Sequence, residues 1–120
     1  MRFIVGVDGT DQGFTALEEA IDIAQKAGGH LTVAVYSQGG QPPDEIESTT
    51  RELLDKYEYD AELEVIEDEP GSTLIELAEI GEYDQIVLPG GTRSPLGKIK
   101  IDGTIEFVLM NARTSVTLIR

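Results

Sequence analysis

Short apolar runs alternate with helix-length amphipathic segments along the whole chain, and no other feature restricts its fold so strongly. The runs at 2–8, 31–36, 61–66, 85–88 and 115–119 are rich in Val, Ile and Leu and too short for helices, as buried strands are. Over 11–27, Phe14, Leu17, Ile21 and Ala24 recur at helical spacing while Glu18, Glu19, Asp22 and Gln25 fall elsewhere, and Gly28-Gly29 ends the pattern. Ile46, Thr50, Leu53 and Tyr57 mark a second helix, with Asp44 as its expected N-cap. Leu74, Ile75, Leu77 and Ala78 mark a third after Pro70-Gly71-Ser72, and 104–111 a fourth. The order is β-α-β-α-β-α-β, a long loop, then α-β. Helix-length crossovers between successive strands require a parallel sheet with helices on both faces. At 120 residues, with no internal repeat, one domain with one core is expected.

Ligands of such sheets sit at the C-terminal ends of the strands, where the strand order reverses. Asp8, Tyr36 and Gly90 stand at such ends. Gly90 also opens the most suggestive loop, Gly90-Gly91-Thr92-Arg93, which closes at Gly103-Thr104 where the fourth helix starts. Glycine lets backbone N–H groups approach an anion, and a helix N-terminus favours negative charge. Local charge agrees: 93–120 carries five of the nine basic residues and only two of the 23 acidic ones. A phosphate-binding loop is the expectation.

Several phosphate and catalytic patterns do not fit. Gly97-Lys98 is followed by Ile99 rather than Ser or Thr, which rules out a P-loop. The first loop, Asp8-Gly9-Thr10-Asp11-Gln12-Gly13, lacks the dinucleotide fingerprint. It also lacks the spacing of an EF-hand. A phospho-receiver would use Asp8, Asp11 and Asp68, but its lysine after the fifth strand has no counterpart. The single histidine, His30, with no cysteine, makes neither a zinc site nor a Ser-His-Asp set. Lys98 and Lys100 read as solvated loop charges.

The pattern that fits is that of the universal stress protein family, which the chain resembles over essentially its whole length. Ile4-Val5-Gly6-Val7-Asp8-Gly9-Thr10 is similar to the family's opening strand, and Leu31-Thr32-Val33-Ala34-Val35 to its second. Tyr83 to Gly90 resembles the strand that leads to its nucleotide loop, and Val116 to Arg120 its last strand. The ATP-binding branch carries Gly-x2-Gly-x9-Gly-Ser/Thr, which places the first glycine on Gly90 and the closing pair on Gly103-Thr104. The second glycine is replaced by Arg93, which either blocks the site or offers a guanidinium to the phosphates beside Gly91. The resemblance implies a three-layer α/β/α domain with a five-stranded parallel sheet in order 3-2-1-4-5. It implies binding of ATP or AMP, with Mg²⁺ carried on the phosphates. Asp8, beside Gly9, would contact adenine or ribose; the same carboxylate would otherwise serve only to build a turn. The backbone of Val35 would read the adenine edge. Thr104 would touch phosphate besides capping its helix. The last strand would pair two subunits into a homodimer.

A formal charge of −14 and a pI near 4.2 argue against nucleic acid or anionic membranes as partners. Acids spread along the chain, with only four lysines, lead to the expectation of a salt-adapted protein. Absence of cysteine suits a reducing compartment, and Met1 leads straight into an apolar run without the pattern of an export signal, so a cytoplasmic protein is expected. The expected function is that of a small dimeric stress-response regulator that binds an adenine nucleotide, with slow ATP hydrolysis at most. The alternative is a dimeric interaction module of the same fold that binds no nucleotide.

Overall fold

A computed structural model describes the chain apart from Gly39, Ser94, Pro95, Lys98 and Arg120, and apart from the side chains of Thr92, Arg93, Ile99 and Lys100. Its elements are β1 (Arg2–Val7), α1 (Asp11–Ala27), β2 (His30–Val35), α2 (Pro43–Lys56), β3 (Glu62–Val65), α3 (Pro70–Ile80), β4 (Gln85–Pro89), β5 (Thr92–Arg93), β6 (Ile99–Lys100), α4 (Gly103–Asn111) and β7 (Ser115–Ile119). The main sheet is five-stranded and parallel throughout, in the order β3-β2-β1-β4-β7. Counting these five strands along the chain, that is the expected 3-2-1-4-5.

Side-chain alternation on the strands divides the core into two layers. Phe3, Val5 and Val7 of β1 pack with Leu17, Ile21 and Ala24 of α1 and Ile46 and Leu54 of α2. Ile4 of β1 and Ile86 and Leu88 of β4 pack with Leu74 and Ala78 of α3 and Ile105 and Val108 of α4. Gly6 stands in the middle of the central strand because there is no room for anything larger. A Cβ there would lie 2.7 Å from Leu88 Cδ2 and 3.2 Å from Tyr36 Cε1. The two sheet edges differ. β3 exposes Glu62 and Glu64, whereas β7 carries neither charge nor proline and is half-buried at Val116 to Ile119. Among the described residues no helix is long and apolar enough to cross a membrane.

Three local expectations need correction. Asp44 does not cap α2: the N-cap is Pro42, which offers no side-chain hydrogen bond, and Pro43 opens the helix. Proline suits that first position because its N–H would be unsatisfied anyway, so Asp44 falls in the first turn. The long loop before α4 contains a two-stranded antiparallel hairpin, with Thr92 opposite Lys100 and Arg93 opposite Ile99. Thr104 does not cap α4 either: Asp102 does, accepting from Ile105 N at 2.8 Å.

Among the described residues, Asp22–Lys26 and Glu47–Arg51 form the Lys and Arg ion pairs, both exposed and one helical turn apart. Such pairs add little. Nine cations cannot neutralise 23 acids in any arrangement, so repulsion between carboxylates opposes the compact state. The melting temperature is therefore expected to rise between dilute and molar KCl, as screening shortens the reach of that repulsion. A flat or falling curve by circular dichroism would remove the salt-adaptation reading.

Candidate functional site

β1 lies between β2 and β4, and the connections leaving it and entering β4 run over opposite faces of the sheet. Its C-terminal end is the switch point, and the chain turns there at Asp8. Asp8 is buried, and its Oδ1 accepts from Thr10 N at 3.1 Å and Thr10 Oγ1 at 2.6 Å. Thr10 in turn caps α1 by accepting from Gly13 N at 3.0 Å. The turn-building role of Asp8 is thus realised, through one of its two oxygens. Gly13 makes this possible: a Cβ there would lie 2.2 Å from Asp8 Oδ1. Gly9 adopts φ 83°, a left-handed conformation open mainly to glycine, with Gln41 and Ile46 close against it.

The Val35 side chain lies in the core, and its carbonyl accepts from Ile66 N at 2.8 Å. Gly90 is buried and donates its N–H to Ile119 O at 2.6 Å, extending the β4–β7 ladder. Gly91 follows with φ 87°, which turns the chain into the hairpin. The backbone of Arg93 is held in that hairpin by Ile99, while its side chain lies outside the described residues.

At the start of α4, Gly103 is exposed and a Cβ built on it would meet nothing within 4 Å. The hydroxyl of Thr104, freed from capping by Asp102, donates to Gln38 Oε1 at 3.1 Å and ties the segment after β2 to the first turn of α4. A cavity of about 430 Å³ opens beside Gly103 and Thr104 and is also lined by Glu69, Gly71, Ser72 and Phe107. It therefore lies between the N-termini of α3 and α4. Its volume is within the roughly 300–1,000 Å³ of small-molecule pockets.

Tyr36, directly after β2, is 1% exposed, and its hydroxyl has no hydrogen-bond partner among the described residues. Burial pushes this phenol well above its ordinary range, and the charges of Asp8 and Asp102 push it further. The hydroxyl is therefore neutral at any physiological pH. The charges of Asp8 and Asp102, far apart in sequence, both reach it. Val35 is buried by its side chain, and its carbonyl is engaged by Ile66 N in the β2–β3 ladder. Sequence reasoning placed Tyr36 at a ligand-bearing strand end without giving it a role, and it passed over Gln38, Gln41, Gly13 and Asp102 as site residues. Only Asp102 carried a signal, an acid directly before Gly-Thr at a helix start.

The sequence profile of the universal stress protein family matches residues 1–120. The chain belongs to the universal stress protein family. No curated protein matches it significantly in sequence. Solved structures share its fold. A universal stress protein in complex with cAMP is 22% identical, with a TM-score of 0.78 over all of this chain and 96% of that one. The universal stress protein from Archaeoglobus fulgidus in complex with dAMP is 21% identical, with a TM-score of 0.67 over 100% of this chain and 98% of that one. A family member from Arabidopsis thaliana with AMP bound is 14% identical, with a TM-score of 0.69 over 99% and 90%. The departure of this universal stress protein from the motif at Arg93 therefore sits on the family's ordinary fold.

Proposed function

We propose that this universal stress protein binds an adenine nucleotide, AMP or ATP, at the C-terminal ends of β1, β2 and β4. We further propose that it works as a cytoplasmic homodimeric regulator rather than a fast enzyme. The observation that carries the reading is the first turn of α4. Gly103 leaves open space at a helix N-terminus, beside a cavity of ligand size. The first-turn amides of a helix have no partner within it, and a phosphate supplies one. Proteins of the same fold in complex with cAMP, dAMP and AMP support an adenine ligand. Asp8, Asp102 and Glu69 make the surroundings acidic, so a phosphate here gains from a nearby cation: Mg²⁺ on a triphosphate, or the guanidinium of Arg93. The bare edge of β7 and the exposed Phe107, Leu109 and Met110 of α4 support a second copy as partner.

Calorimetry with AMP, and with ATP in the presence and absence of Mg²⁺, tests the nucleotide reading. Arg93→Ala is expected to weaken binding by about 1.5–3 kcal/mol, the scale of a hydrogen bond to a charged group. A gain in affinity would instead make Arg93 a plug. If no nucleotide binds at all, the interaction module is what remains.

A further inference from the structure

Tyr36 is the one described side chain whose buried polar atom has no hydrogen-bond partner. Buried polar groups are almost always paired, because leaving one unpaired costs the fold its lost hydration. Nothing in the packing forces the hydroxyl into this position by default. The ring lies over Gly6 of the central strand, beside Leu88 and Leu74, in a slot that phenylalanine would fill equally well. Tyr36 N donates to Val7 O, which sets the residue beside the tip of β1, and the hydroxyl lies within reach of the charges of Asp8 and of Asp102, the N-cap of α4.

We propose that the Tyr36 hydroxyl contacts the ribose of the bound nucleotide and so selects for a sugar hydroxyl. The inference rests on the nucleotide reading above and names a residue for it. The chemistry of the surroundings points to the ribose. Asp8 and Asp102 accept hydrogen bonds and repel phosphate; Asp8 Oδ1 is already used by Thr10, and Asp102 Oδ1 by Ile105 N. A neutral diol can donate to the remaining carboxylate oxygens, and the phenol can either donate to it or accept from it. In the ligand-free chain the Gln38–Thr104 hydrogen bond joins the segment that carries Tyr36 to the turn that carries Asp102. A phosphate that takes the Thr104 hydroxyl replaces that bond and releases Gln38, two residues beyond Tyr36, from the α4 turn.

The test uses the full chain and calorimetry with AMP, 2′-deoxy-AMP and 3′-deoxy-AMP, on the unmodified protein and on Tyr36→Phe. The variant is expected to bind AMP about tenfold more weakly, the scale of one lost hydrogen bond. Its melting temperature without ligand is expected to stay level or rise, since an unpaired buried hydroxyl has been removed. One deoxy-nucleotide should lose a similar factor on the unmodified protein and nothing further on Tyr36→Phe. Equal AMP affinity in the variant overturns the proposal, as do losses that simply add. A variant that no longer folds assigns the hydroxyl to stability and also overturns it. If the unmodified protein binds none of the three, the nucleotide reading falls and this one with it; if it binds AMP and only the Tyr36→Phe comparison fails, the nucleotide reading stands alone.

Discussion

Valine at position 103 is expected to abolish nucleotide binding while leaving the free protein as stable as before. Both halves follow from the same observation. A Cβ on Gly103 meets nothing within 4 Å, so the fold has room for the side chain. Gly103 is the first residue of α4 and lies outside the left-handed region, so a β-branched residue there brings no backbone strain. The change in stability should stay within about 0.5 kcal/mol, as for other exposed substitutions. The same open space is where a phosphate would approach the first-turn amides, and a branched side chain would fill it. Calorimetry with AMP and thermal denaturation of the free variant check the two halves. Undiminished affinity would move the phosphate away from this turn. A large loss of stability would show that Gly103 serves the fold.

Two neighbouring proline substitutions in β7 are expected to have different results. The carbonyl of Ile119 accepts from Gly90 N, so Ile119 turns its backbone polar groups towards β4. Backbone direction alternates along a strand, so Thr117 also faces β4, whereas Val116 and Leu118 turn theirs outward. Thr117→Pro removes a ladder donor within the sheet. It leaves a β4 carbonyl unpaired, at about 1–3 kcal/mol, besides losing the Thr117–Gln85 side-chain hydrogen bond. Its expected result is a less stable protein. Leu118→Pro removes an outward N–H, which the proposed strand-to-strand dimer needs and the monomer does not. Its expected result is a folded monomer by light scattering, at concentrations where the unmodified protein is dimeric. A dimer that survives Leu118→Pro would place the subunit contact elsewhere.

The fold was legible because the constraint behind it is coarse. Apolar runs of strand length, separated by helical spacing, leave few topologies, and α1 spans 11–27 as its apolar periodicity and the Gly28 stop require. Features decided by competition between adjacent residues were not legible. Asp102 and Thr104 can both cap a helix, and which one does so depends on how the preceding chain enters. Pro42 and Asp44 differ in the same way. The two-residue strands β5 and β6 are too short to show any alternation. At the candidate site, Asp8 and Gly103-Thr104 could be named from their position at strand and helix ends. Tyr36 could be placed at a strand end in the same way but given no role, because an aromatic residue at the end of an apolar run reads as core. Its ring is core indeed; only the tertiary structure reveals that its hydroxyl has no partner among the described residues and feels the charge of two carboxylates from distant segments.

The two borders of the main sheet are unequal. On one, Glu62 and Glu64 put negative charge along β3; on the other, β7 is bare. In the proposed dimer, each molecule has a valence of one. A subunit with two adhesive borders would recruit a new copy at each end and grow without limit into a fibre. A subunit with one can meet only its own like, about a two-fold axis, and the meeting uses up the adhesive border of both. The carboxylates of β3 would therefore act as chain terminators, and removing them would be the change most apt to turn a closed pair into a polymer.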